Sequence, residues 1–183
     1  MKIETRTLTT HPLELREDED GTRHILGMIV PWGTPILLRQ NVYEQFARSA
    51  FDKSVKERGD KIPLLESHNE DSHPVGMSVS FTNEARGLMA DFRLAPTLRG
   101  AETVALAEAG IVTGLSVGFR PITSRTERRQ NGEQWITRVE GRLDHVGFVT
   151  SPAYDTARVL SIRDADPDAD PYPLLTKWRA RGL

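Results

Sequence analysis

The stretch GIVTGLSVGFRP, residues 110–121, places one serine between two glycines inside an otherwise apolar run. Read as a strand, it sends alternate side chains to opposite faces. Leu115, Val117 and Phe119 then share one face and pack inward, while Gly114, Ser116 and Gly118 share the other. With no side chain on either same-face neighbour, Ser116 stands clear, and another backbone or a substrate can approach it closely. A second reading stays open: a locally hydrogen-bonded strand serine whose glycines serve a bulge or a tight barrel bend.

Outward from this stretch, the pattern is dominated by strands. Upstream, Pro96 opens TLRGAETVALAEAG, which predicts a helix with proline near its start and Gly110 as its terminal cap. Before it, VGMSVSF and LMADFRL alternate on either side of TNEARG and predict a hairpin. KIPLLESH, residues 61–68, predicts a strand running into the polar loop NEDSHP. Residues 44–58 place Phe46, Ala47, Ala50, Phe51 and Val55 along one helical face, an amphipathic helix. RHILGMIVPW, residues 23–32, is the first segment that reads as structured; the acidic residues before it, closed by Gly21, read as a solvated turn. Downstream of Ser116, residues 130–132 form a turn between strands 120–129 and 133–139, and residues 143–149 form the last strand. Many short strands with two interspersed helices predict an α+β, β-rich domain with barrel character, and irregular alternation argues against a doubly wound sheet.

Composition narrows the function. The 183 residues suit one domain with short extensions, taken here as an N-terminal extension 1–22, a domain 23–163 and a tail 164–183 holding the acidic, proline-rich DADPDADPYP. A net charge of −2 offers no electrostatic ground for nucleic acid or an anionic membrane as partner. Cysteine is absent, which removes disulfides and thiol nucleophiles. Neither a membrane-length apolar run nor a signal-peptide core is expected.

A serine hydroxyl is a weak nucleophile until a base takes its proton, so the five histidines matter. His11 and His24 read as solvated or structural. His68 ends an apolar strand and can project into a cleft, and His73 follows in the loop. His145 stands within the last strand, on the face that alternation shares with Leu143, Gly147 and Val149.

Three blocks resemble the tailed-phage prohead (capsid maturation) serine proteases. IPLLESHNEDSHPVG is similar to that family's histidine motif, AEAGIVTGLSVGF to its nucleophile motif, and LDHVGFVTSPAYDTARV to its third block. They occur in family order over residues 23–163. The resemblance implies a herpesvirus-protease-like β-barrel with surrounding helices, and cleavage of major capsid protein or scaffolding segments in the interior of an immature capsid. It implies Ser116 as nucleophile, His68 as general base, no cofactor, and a homo-oligomer. The third position departs from the pattern: many phage members carry an acidic residue where His145 falls, whereas the herpesvirus enzymes use a second histidine in the order His…Ser…His. His145 fits the block without a gap, with Asp144 as the alternative on the opposite face.

Three rivals are expected to fail. G-x-S-x-G also spells the nucleophile elbow of α/β-hydrolases, but the only histidine after Ser116 is His145 and repeated strand–helix units are missing. A metal site built on His68 and His73 rests on generic spacing. A non-enzymatic scaffold would need a dedicated region, and only about twenty residues follow the domain.

Overall fold

The computed structural model describes residues 4–7 and 13–150. The tail 164–183, His11 and the Ser-Pro-Ala end of the third block lie outside them. The described residues form ten strands and two helices. In chain order the strands are β1 (Glu4–Thr7), β2 (Glu14–Glu17), β3 (Arg23–Pro31), β4 (Ile36–Arg39), β5 (Val42–Phe46), β6 (Pro63–Glu66), β7 (Gly76–Asn83), β8 (Gly87–Leu94), β9 (Gly114–Arg128) and β10 (Gln134–Val149). Helix α1 (Asp52–Arg58) lies between β5 and β6, and α2 (Leu98–Glu108) between β8 and β9.

All ten strands belong to one sheet, whose main path runs β1-β9-β10-β6-β7-β8-β3-β2. β5 joins β10 in parallel and carries β4 on its outer edge. The sheet curls until β3 faces β9: a methyl group on Gly27 would come within 3.0 Å of Leu115 Cδ1. The result is an open, curled half-barrel, in keeping with the β-rich α+β class predicted from the sequence. Its concave side holds Ile25, Ile29, Leu64, Phe92, Leu115, Val117 and Leu143, all fully buried. Phe46, Phe51 and Phe119 close one end, with ring centroids 5.2–5.7 Å apart.

Several local expectations are met by the chemistry behind them. The hairpin β7–β8 forms, and Thr97 caps α2 by accepting from the Gly100 N–H at 3.2 Å. Gly110, at φ +65°, takes the left-handed turn that ends the helix.

Others are corrected. The helix expected over 44–58 is shared between β5 and α1, because Val42–Phe46 pairs in parallel with Gln134–Arg138. Phe46 and Phe51 still reach one core, but from a strand and a turn, which mimics a helical period. The acidic segment read as a turn contributes β2, paired with β3 and pinned by Arg23 to Glu17 at 3.0 Å. Residues 133–139 and 143–149 are one continuous strand, β10, interrupted by bulges. Between its two parallel partners β5 and β6, the edge of β10 is satisfied by α1 and the turn before it. Ser54 Oγ accepts from the Leu143 N–H at 2.9 Å, and the Gly141 N–H donates to the Ala50 carbonyl at 2.8 Å.

Candidate active site

β9 and β10 form the longest antiparallel pair in the sheet, and their register sets the site. Ser116 lies opposite Gly147, and Gly118 lies opposite His145. Each polar residue therefore faces a glycine across the ladder. Neither glycine is spare. A Cβ on Gly118 would overlap His145 Nε2 and Cε1, and one on Gly147 would sit 2.7–2.8 Å from three atoms of the His68 ring. The space beside Ser116 that the sequence assigned to an approaching substrate is filled by the two imidazoles.

His145 reaches this face through a bulge. Leu143 pairs with Phe119 and His145 with Gly118, so Asp144 is the extra residue on β10. Strict alternation would have put Leu143 and His145 on one face. The extra residue shifts the parity, sending Leu143 into the core and His145 over Gly118.

His68 arrives from β6, which runs parallel to β10 with Leu65 beside Gly147. The Ser67 N–H extends the pairing to the Phe148 carbonyl at 3.0 Å, and the chain then turns sharply, with the Asn69 N–H donating to the Glu66 carbonyl at 2.8 Å. Ser67 and His68 have φ of 47° and 61°, a region that side chains other than glycine rarely occupy. Backbone strain of this kind costs about 1–3 kcal/mol per residue and persists only where the surroundings enforce it. Here it folds the imidazole back over Gly147.

The outcome is a continuous row. Ser116 Oγ lies 2.5 Å from His68 Nε2, and His68 Nδ1 lies 2.8 Å from His145 Nε2. Burial is the main cause that pushes the His68 pKa down to about 4, with the neighbouring His145 adding to it. Burial also lowers His145, opposed by the Glu70 and Asp144 carboxylates. Both rings are neutral at neutral pH, so a lone pair is available for the serine proton.

Asp144 is not brought to this row. Its carboxylate is held by Arg120 at 3.0 Å, Arg142 at 3.2 Å and Arg58 at 3.4 Å. His24 is buried elsewhere, against Asp91 at 2.7 Å, and His73 is exposed. Among the described residues no three potential ligands are grouped so as to hold a metal ion.

One feature of the site had no place in the sequence reading. β1 pairs antiparallel with β9, placing Thr7 opposite Ser116 and Glu4 opposite Phe119. Arg138 anchors it, reaching Glu4 at 3.0 Å and the buried Glu44 at 2.6 Å. The outer edge of the serine strand is thus occupied by the chain's own segment, and Ser116 is 0% exposed.

A hydroxyl, a neutral imidazole accepting from it, and a second group orienting that imidazole are the working parts of a serine hydrolase. The caudovirus prohead serine protease family matches residues 11–169, and the chain belongs to that family. It is a serine protease of the phage prohead type. The capsid assembly protease of bacteriophage T4, gp21, has a similar fold, with a TM-score of 0.58 and 11% identity over 82% of this chain and 98% of that one. No curated protein matches.

Proposed function

We propose that the chain cleaves peptide bonds with Ser116 as nucleophile, His68 as general base and His145 as the group that orients His68. The unbroken row at 2.5 and 2.8 Å carries this reading. Ser116 Oγ attacks the scissile carbonyl as its proton passes to His68 Nε2. The same proton then goes to the leaving amine, an acyl ester remains on Oγ, and water hydrolyses it through the same base. Serving as base at Nε2 requires the His68 proton on Nδ1, where it donates to His145 Nε2. A neutral imidazole stabilises the resulting imidazolium less than a carboxylate does, so turnover is modest. Confinement with substrate at high local concentration compensates for slow chemistry.

The substrate is a capsid-protein or scaffolding segment, met inside the immature capsid, and the enzyme works there as a homo-oligomer. Family membership and the likeness to a capsid assembly protease support this setting. The His…Ser…His order on a strand-rich sheet supports kinship with the herpesvirus assembly proteases. No cofactor enters the mechanism.

Coexpression with the capsid protein of the same virus tests the proposal. Ser116→Ala should abolish cleavage while the domain keeps its thermal transition; full cleavage by that variant would end the serine-protease assignment of this residue. His145→Ala should lose most activity and Asp144→Asn little, and the reverse order would transfer the third role to Asp144.

A further inference from the structure

The row does not end at His145. Its remaining ring nitrogen, Nδ1, faces the carboxylate of Glu70, with Oε1 at 3.8 Å. Glu70 follows His68 by two residues, and the strained turn at Ser67 and His68 is what brings both over β10. We propose that Glu70 is a positioning residue, the fourth member of the row, which holds His145 in the tautomer that lets His68 act as a base. The inference rests on the assignment of Ser116 and His68 above.

Two arrangements satisfy the hydrogen bonds between the rings. In one, His145 Nε2–H donates to His68 Nδ1, leaving His68 Nε2 protonated and unable to accept from Ser116. In the other, His68 Nδ1–H donates to His145 Nε2, so His145 must carry its proton on Nδ1. Only the second is reactive. An anion beside His145 Nδ1 selects it, because a carboxylate attracts an N–H there and repels a bare lone pair. When His68 becomes an imidazolium, the same anion stabilises the charge shared along the two rings.

Asp144 also favours the protonated ring, but Glu70 has the larger influence and is the carboxylate that faces Nδ1. On β10, the Asp144 carboxylate is held by Arg58, Arg120 and Arg142. On β9, Ser116 and Gly118 face the ring and carry no charge. From the β6–β7 loop come His68 itself and Glu70, which makes no other ion pair among the described residues. At 3.8 Å the contact is an ion-pair distance, longer than a hydrogen bond, and a catalytic contact that is long in the free enzyme tightens when substrate covers it. The Glu70 side chain is 55% exposed, which leaves it room to rotate.

The test uses the full chain. A fluorophosphonate reagent reports how fast Ser116 is phosphonylated across pH, and nitrogen chemical shifts of labelled histidines report the tautomer of His145. Glu70→Gln should slow labelling about tenfold. It should also move the acid limb of the rate to lower pH, because removing an anion disfavours the protonated rings. The His145 signals should shift from Nδ1–H toward Nε2–H, and Glu70→Asp should recover part of each effect. A wild-type rate, acid limb and tautomer in Glu70→Gln would overturn the inference, as would a slower rate with the limb and tautomer unmoved, which marks a merely structural residue. Should wild-type protein label no faster than His68→Ala, the assignment of the base itself would fall instead.

Discussion

At the scale of single residues, the site depends on what is missing from two positions as much as on what is present at three. Gly118 and Gly147 are the slots that admit the imidazoles of His145 and His68. Gly147→Ala should displace the His68 ring from 2.7–2.8 Å contact and lower the cleavage rate by about 10², the scale of an ångström of misplacement at a reacting group. Gly118→Ala should do the same through His145. Gel-based cleavage of coexpressed capsid protein reads the loss, and a melting temperature close to wild type would show that the fold survives. The pH response follows from burial. With the His68 pKa at about 4, kcat/KM should hold through mildly acidic solution and fall only as pH drops through that value. A limb near the ordinary imidazole value would contradict the buried, neutral base.

At the scale of elements, the sequence made Ser116, His68 and His145 visible, because each sits on or at the end of an apolar strand and the motifs around them are local. The face on which His145 lands was not visible. Alternation within residues 143–149 grouped it with Leu143, and only pairing with β9 shows that Asp144 is an inserted residue. Deleting Asp144 should leave Leu143 opposite Phe119 and His145 opposite Gly118, so activity should largely persist. It should persist also in Asp144→Ala, which keeps the bulge and removes the charge. Loss on deletion alone would mean that the bulge itself is needed to place His145. Comparing the two variants separates the bulge from the charge. β1 was hidden for a similar reason. Four residues far from β9 in sequence carry no strand signal of their own, and their place follows from pairing and from the Arg138–Glu4 contact. Because β1 covers the edge where a substrate strand would add, a chain lacking residues 1–8 should label faster at Ser116 with fluorophosphonate than the full chain does.

At the scale of the whole molecule, two neutral histidines held in a half-barrel make folding stability depend on pH. Both rings bind protons less readily in the folded protein than in the unfolded chain, with His68 moved from 6.5 to about 4. Below 6.5 the unfolded chain gains a proton that the folded site refuses, so protonation there favours unfolding. The contribution is fully present above the unfolded value, declines as pH falls through this window and is lost by about 4. Urea midpoints should therefore drop between pH 7 and 4 with unchanged slope. A variant carrying His68→Gln and His145→Gln should show a flatter decline, since glutamine does not titrate. Parallel declines in the two proteins would mean that the histidines are not the source. The same burial that keeps His68 ready to accept a proton thus works against the fold in acid, so catalytic readiness and acid resistance oppose each other through one side chain.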